Sequence, residues 1–440
     1  MRQSTRQGKK PHGIPPAPTW RVERNGGPTG LPLLYELPES LAIVLLLALR
    51  FISVWASCPP ERRWRLGQRS ARAHAELAQA VASVASPEIM QAVDCFARLR
   101  RRPSSVAPAA VASACEAVHA WAQEQGFRAT AATALSFAEA AAYADPSDPR
   151  HANTAGAACR RAGHMTRAAI WLNRARRLGV NDTNERIRSL LAIGALMKET
   201  GKLAEAERAF TRAAVGAARR NRRRQAAEAH HDLLLLTAEQ GRLAEAEEHA
   251  LLAADLYPLY HHRLQYLAHD LAFALVRHGH YGEALALLSA FVKEIPRGHL
   301  LPGLSTFAWA AAGQGLLHRF RQAEQDVLAI LSPDIDHEFA PASYIHLAEG
   351  ARLLGLWEKA ETHALCAIRT ADIRQDPTLR EEAKALLAAI HARISPPQEA
   401  HPTISRKLSL VTRHLTARLQ RWRPVSRADG LHRSDAAQRP

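Results

Sequence analysis

The sequence predicts an all-α fold built from repeated helix–turn–helix units. The stretch "GKLAEAERAFTRAAVGAA", which begins at Gly201, is nearly repeated as "GRLAEAEEHALLAADLYP" from Gly241. Alanine is abundant and aromatic residues make up only 6% of the 440-residue chain. Alanine loses no side-chain entropy when a helix forms, so this composition favours helix. A near-identical segment at a spacing of about 40 residues is typical of a helical repeat.

The repeated pattern is a glycine, a polar residue, an apolar residue, two further residues and an alanine. It begins at Gly126, Gly163, Gly201, Gly241, Gly279 and Gly355, and without the glycine at His318. The glycine is expected to end one helix with a positive φ. The alanines are Ala131, Ala168, Ala206, Ala246, Ala284, Ala323 and Ala360, where a small side chain lets two helices approach closely.

This pattern resembles the tetratricopeptide repeat (TPR) family. Gly156 and Gly194 match its small residue in the first helix, and Phe210 matches its large residue in the second. The resemblance implies an all-α, right-handed α-solenoid of about seven units over residues 111–392. It also implies a concave groove, lined by first helices, that holds a peptide or helix of another protein.

The register then predicts which first-helix side chains line that groove. They are Arg150, Asn153, Arg160, Arg161, Arg188, Lys198, His231, Glu239, His269, Phe273, Arg277, Glu349 and Arg352. Of the Lys and Asn pattern of the family's carboxylate clamps, only Asn153 matches. His231 and His269 lie one repeat apart and are expected to stack on the inner wall. They either bind an acidic partner below neutral pH or fill a polar helix position that duplication copied.

No catalytic or cofactor motif occurs in the sequence. H-E-x-x-H, the P-loop, the dinucleotide-binding glycine pattern and G-x-S-x-G are all absent. The histidines have no carboxylate or cysteine at ligand spacing, so we expect no metal and no cofactor. The five scattered cysteines indicate buried thiols in a reducing cytoplasm rather than disulfides. We therefore expect a protein that is not an enzyme.

The formal net charge of +16 is confined to the two ends of the chain. Residues 1–110 carry +9, residues 111–392 are neutral and residues 393–440 carry +7. We expect a disordered basic tail over 1–35 and a helical extension over 36–110. Residues 393–440 should hold a linker, a basic amphipathic helix and a disordered tail. The neutral middle argues against nucleic-acid binding by the whole chain.

Two N-terminal stretches have alternative interpretations. The apolar run 41–58 is long enough to span a membrane, but we favour a buried helix packed on the first repeat. Membrane association through this run is the alternative to a purely cytoplasmic protein. Residues 75–93 faintly resemble a DNA-binding helix-turn-helix, but the would-be recognition helix has no basic residue, so a helical-repeat sequence is favoured.

Basic clusters form the last group of candidate sites. Arg98–Arg102 and Arg219–Arg224 either hold phosphates or end helices in solvent. A basic amphipathic helix is predicted by the apolar stripe through Ile404, Leu408, Val411, Leu415, Leu419 and Trp422. We expect it to cap or dock on the repeats, with an anionic membrane surface or nucleic acid as the alternatives.

The sequence thus predicts a scaffold that binds another protein. The alternative is a peptide-sensing regulator whose basic termini contact nucleic acid or a membrane.

Overall fold

The computed structural model is helical, and it describes residues 31–67, 79, 87–125, 127–161, 164–258, 263–290, 297–331, 339–373, 376–394 and 406–421. The chain divides into two compact units, residues 1–220 and 221–440. No strand occurs among the described residues. The predicted all-α class is therefore confirmed over this part of the chain.

The first unit begins with an N-terminal extension and continues with helical hairpins. The extension contains α1 (Leu31–Glu36), α2 (Glu39–Ser57), two short 3-10 helices (Pro60–Leu66 and Pro103–Ser105) and α3 (Pro87–Arg101). The hairpins are α4 (Pro108–Gln125) with α5 (Arg128–Ala144), α6 (Pro149–Arg161) with α7 (Met165–Leu178), and α8 (Thr183–Glu199) with α9 (Leu203–Arg219).

The second unit contains four hairpins and two further helices within its described residues. They are α10 (Arg223–Glu239) with α11 (Leu243–Leu256), α12 (Arg263–Arg277) with α13 (Tyr281–Ser289), α14 (Arg297–Gly313) with α15 (Leu317–Leu331), and α16 (Ala340–Leu353) with α17 (Trp357–Ile373). Helices α18 (Pro377–His391) and α19 (Arg406–Arg421) follow.

Within each unit the hairpins stack in chain order. The first helices contact one another in the series α4, α6, α8 and in the series α10, α12, α14, α16, α18. Each second helix contacts the first helix of the next hairpin, as α5 contacts α6 and α11 contacts α12. Each hairpin therefore buries apolar surface against the hairpins next to it in the chain, as in a helical repeat.

The repeated small residues lie where two helices approach most closely. All seven predicted alanines are buried, none more than 8% exposed. A Cβ on Gly156 would lie 2.5 Å from the Leu172 side chain, and one on Gly194 would lie 2.5 Å from the Phe210 ring. The match of these glycines and of Phe210 to the family pattern thus has a packing reason: each glycine makes room for a large side chain of the second helix.

One predicted turn is wrong by three residues. Gly201, Gly241, Gly279 and Gly355 adopt the expected positive φ, but in the sixth hairpin this conformation belongs to Gly315, with φ 70°. His318 lies inside α15 instead. In the other copies an alanine lies five residues after the turn glycine. In this hairpin Phe320 of α15 occupies that position, so the alanine pattern did not identify Gly315 as the turn residue. Gly126 and Gly163 lie outside the described residues.

The apolar run 41–58 packs inside the first unit as the favoured interpretation expected. Helix α2 contacts α3 and α5, and Leu45, Ile52 and Trp55 are buried while Arg50 is exposed. The helix is also long and apolar enough to cross a membrane, and half of its most apolar window is buried within the protein.

The extension begins earlier than predicted, because α1 starts at Leu31 rather than after residue 35. Glu36 at its end accepts hydrogen bonds from the backbone N–H groups of Ala129 and Thr130, both at 2.8 Å. These are two of the unpaired donors in the first turn of α5. The extension therefore caps the second helix of the first hairpin.

Three further predictions concern the helix-turn-helix candidate, the basic N-terminal tail and the cysteines. Most of the helix-turn-helix candidate 75–93 lies outside the described residues, as do residues 1–30 of the predicted basic tail 1–35. Cys95, Cys115 and Cys159 are buried free thiols, while Cys58 and Cys366 are half-buried. Burial raises the pKa of Cys115 to about 12, so this thiol stays protonated.

Candidate functional site

The first-helix face of the second unit brings together four of the predicted groove residues. We use this name for the side chains of α10, α12, α14 and α16 that lie between neighbouring first helices. His231 comes from α10, while His269, Phe273 and Arg277 come from α12. Their i, i+4, i+8 spacing places the three α12 residues in one row on that helix.

A carboxylate of the chain itself joins the two predicted histidines. His231 Nε2 lies 2.9 Å from Asp270 Oδ2, and His269 Nδ1 lies 3.0 Å from Asp270 Oδ1. The side chain of His269 also contacts Thr306 Oγ1 on α14 at 3.4 Å. Asp270 therefore lies between the two histidines, and the chain itself supplies the carboxylate that one of the two alternatives assigned to an acidic partner.

The environment of Asp270 favours its ionised form. Burial by itself would raise the pKa of this carboxyl, but the hydrogen bonds to the His231 and His269 rings outweigh burial and hold the pKa well below its usual range. Asp270 is half-buried, and both of its carboxylate oxygens already contact ring nitrogens, so it is a structural link between α10 and α12.

An aromatic cluster continues the same face across the next two first helices. The ring centroid of Phe273 lies 6.5 Å from that of Trp309 on α14 and 5.3 Å from that of His346 on α16. Trp309 and His346 are 5.3 Å apart. Arg277 lies 5.8 Å above the Phe273 ring and its side chain is 55% exposed. This cluster therefore joins aromatic rings from three successive first helices, α12, α14 and α16.

His346 is held neutral at the centre of the cluster. Burial lowers its pKa to about 3, and the nearby positive charge of Arg277 acts in the same direction. Its Nδ1 lies 3.0 Å from Ser305 Oγ. Since His346 is uncharged at neutral pH, Arg277 supplies the exposed positive charge at this point of the face.

The remaining predicted residues of the second unit lie apart from this cluster. Glu349 and Arg352 form an ion pair at 2.6 Å within α16, and Arg352 also donates to the Ile394 carbonyl at 3.1 Å. Glu239 is exposed at the end of α10. These three residues do not join the aromatic cluster.

In the first unit, the predicted groove residues mostly pair with acidic neighbours. Asn153 is buried: its amide donates to Glu185 Oε2 at 2.8 Å, and its oxygen accepts from Ser189 Oγ at 2.9 Å. Arg188 pairs with Glu185 at 3.2 Å. Asn153 is therefore part of the link between α6 and α8, and it is not positioned to clamp a partner's carboxylate.

The basic residues of the same unit follow this trend. Arg150 pairs with Asp148 at 2.6 Å, and Arg160 pairs with Glu199. Arg161 is exposed at the end of α6, and Lys198 is half-buried near the end of α8. The first-unit face thus offers little unpaired positive charge.

One acidic group near Arg150 has metal-ligand character. Ligand atoms of Asp145, Asp148 and His151 lie within 4.8 Å of one another, although no metal was expected from the sequence pattern. Asp148 also caps α6 by accepting from the Arg150 N–H at 2.8 Å. The bound Arg150 guanidinium already neutralises this carboxylate, so the group is explained as a helix cap.

Comparison with known proteins adds little to this description. No family model matches the chain, and no curated protein sequence matches it significantly. A solved structure described as the TPR domain of P58(IPK) is similar at 15% identity over 64% of this chain and 98% of that chain, with a TM-score of 0.20. A superposition that weak carries no argument, so the fold assignment rests on the helix pairs described above.

Proposed function

We propose that the protein is a non-enzymatic interaction scaffold that holds a segment of another protein against the first-helix face of its second unit. The aromatic cluster of Phe273, Trp309 and His346 is the observation that carries this proposal. Helical repeats present such faces as extended surfaces, and aromatic residues with arginine are enriched at the centres of interfaces.

The chemistry of the face narrows the kind of segment that fits. Phe273 and Trp309 are only half-buried, so they offer apolar area to a partner. Arg277 is exposed beside them, with its nearest described carboxylate, Glu382, at 4.0 Å. A partner segment with an apolar side chain next to a carboxylate satisfies both features, because the apolar group covers the rings and the carboxylate pairs with the guanidinium.

The alternative regulatory role draws on the basic ends of the chain. Within the described part of α19, the apolar residues Val411, Leu415 and Leu419 are buried against the second unit. A membrane role for this stripe therefore requires α19 to leave its position. This cost favours the scaffold over the membrane-binding alternative.

The proposal is tested by capture with full-length protein from a nuclease-treated native lysate. Phe273→Ala and Arg277→Glu should each remove a partner that wild type retains, while Arg321→Glu should retain it. Arg321 is a matched control because it is an exposed arginine on a second helix, α15. Retention of the partner by all variants contradicts the proposal. A partner that wild type retains only when nuclease is omitted contradicts it as well.

A further inference from the structure

A second surface, in the first unit, has the properties of a docking groove. An open cavity of about 770 Å³ lies between the ends of α7 and α9 and the first half of α8. Two of its three walls come from second helices, so it is a different kind of surface from a face built of first helices. None of the groove residues predicted from the sequence lines it.

Arginines dominate the rim of this cavity. Six of them line it, all exposed: Arg176, Arg177, Arg186, Arg212, Arg219 and Arg220. No carboxylate is among the lining residues. Within the described part of the chain none of the six forms an ion pair, in contrast to Arg150 and Arg160 on a first helix of the same unit. The rim is therefore a concentration of uncompensated positive charge.

The cavity also has apolar surface between the arginines. Val180 is 62% exposed and Val215 is 46% exposed. Ile187 and Leu190 of α8 complete the apolar lining. A surface that served only to attract small anions would not need exposed valines, whereas an amphipathic segment covers them.

The second unit contains the counterpart of this cavity two repeats later, and there it is filled. The turn glycines Gly163 and Gly201 recur as Gly241 and Gly279, so a shift of 78 residues maps α7, α8 and α9 onto α11, α12 and α13. Helix α19 contacts all three of these helices. The chain thus shows what such a groove accommodates: an amphipathic helix that buries an i, i+4, i+8 apolar stripe.

Polar contacts fix α19 in its groove at positions with direct counterparts in the first unit. Arg418 donates to the carbonyls of Ala254 at 2.6 Å and Tyr257 at 2.8 Å. His414 lies 2.9 Å from Asp255. The same shift places Arg177 where Asp255 stands. The groove of the second unit, which holds the basic helix α19, thus has an aspartate at this position. The groove of the first unit has an arginine there.

We propose that the first-unit cavity is a docking groove for an acidic amphipathic helix of a partner protein. The apolar stripe of that helix covers Val180 and Val215, and its carboxylates pair with the arginine rim. The basic helix α19 is the wrong occupant, because its charge has the same sign as the rim. This groove gives the scaffold a second binding surface of opposite chemistry to the groove that α19 fills.

The test uses full-length protein and a labelled 16-residue peptide in fluorescence anisotropy. The peptide keeps the apolar positions of α19 and carries glutamate at its five Arg and Lys positions. We expect it to bind wild type at low salt, and Arg177→Glu with Arg212→Glu to weaken binding at least tenfold. Val215→Asp should weaken it similarly, while Arg208→Glu, on an exposed part of α9 outside the cavity, should change it less than twofold.

A single-stranded oligonucleotide of 16 nucleotides separates this proposal from simple anion binding. The acidic peptide should bind more tightly than the oligonucleotide, and only peptide binding should depend on Val215. Three outcomes overturn the proposal: no peptide binding, binding unaffected by the cavity variants, or oligonucleotide binding that is tighter and insensitive to Val215→Asp. The altered side chains are exposed, so the variants should keep their fold, which circular dichroism checks.

Discussion

His231 Nε2 lies 2.9 Å from Asp270 Oδ2, so an imidazole of one hairpin and a carboxylate of the next are joined across two first helices. Asp270 also accepts from its neighbour His269 at 3.0 Å. These three polar side chains thus pair with one another and hold neighbouring hairpins together. Under the proposed function, recognition on this face rests on the aromatic cluster and on Arg277.

Replacing the shared acceptor should weaken the second unit. Asp270→Asn removes the charge and leaves one ring nitrogen without its partner, which we expect to cost about 1–3 kcal/mol of unfolding free energy. Urea unfolding monitored by circular dichroism measures this loss. Asp326→Asn, an exposed aspartate on α15, is the control and should change the unfolding free energy by less than about 0.5 kcal/mol. Equal stability of the two variants would show that the link is unimportant.

Acid should destabilise the protein through His346. Its pKa is about 3 in the folded state and about 6.5 in an unfolded chain, so only the unfolded chain takes up this proton between those values. The contribution of His346 to the unfolding free energy is therefore complete above pH 6.5 and is lost as pH falls from 6.5 towards 3. From pH 7 to pH 5 we expect a loss of about 2 kcal/mol from this residue.

A pair of variants isolates that contribution. His346→Phe keeps an aromatic ring beside Phe273 but cannot titrate, so its urea midpoint should fall less between pH 7 and pH 5 than that of wild type. His318→Gln removes an exposed histidine and should retain the wild-type pH dependence. Identical pH dependence of wild type and His346→Phe would contradict a neutral, buried His346.

The contact between Gly194 and Phe210 predicts a sharp intolerance of a single methyl group. A Cβ at position 194 would lie 2.5 Å from the Phe210 ring, so Gly194→Ala should cost about 1–3 kcal/mol of unfolding free energy. Phe210→Leu, added to Gly194→Ala, should partly restore stability. Gly216→Ala is the matched control. There the nearest atom is 3.6 Å away in a helix interior, so alanine should be neutral or stabilising by up to about 1 kcal/mol. Thermal unfolding compares the three variants.

Glu36 should anchor the N-terminal extension to the first hairpin. Glu36→Ala leaves the N–H groups of Ala129 and Thr130 without their acceptor, at a cost of about 0.5–2 kcal/mol. Hydrogen exchange should then accelerate in residues 31–57. Glu61→Ala, which removes an exposed glutamate of the same extension, should leave that exchange unchanged, and acceleration by both variants would argue against a capping role.

Local spacing was enough to predict the repeat, because helix pairs need a turn residue and a small contact residue at fixed intervals. The alanines at positions such as 206 and 246 are buried as their period predicts. The same reasoning misplaced the turn of the sixth hairpin at His318, since the contact there is made by Phe320 rather than by alanine.

The sites were less predictable because they depend on neighbours that are distant in sequence. Sequence spacing identified His231 and His269 but not Asp270 between them. The arginine rim could not be predicted from spacing, because Arg177, Arg186 and Arg212 lie on three different helices. In the sequence, only Arg219–Arg224 forms a continuous basic run. The other arginines of the rim come close to it because the hairpins stack.

The scaffold account is tested most directly by site-specific photocrosslinking in full-length protein. A photoreactive phenylalanine analogue replaces Phe273 in one variant and Arg321 in another, and both are exposed to the native lysate before illumination. The account predicts a crosslink from position 273 to a defined segment of another protein, and none to that segment from position 321. Equal crosslinking from both positions, or retention of the partner with no crosslink from position 273, would contradict it.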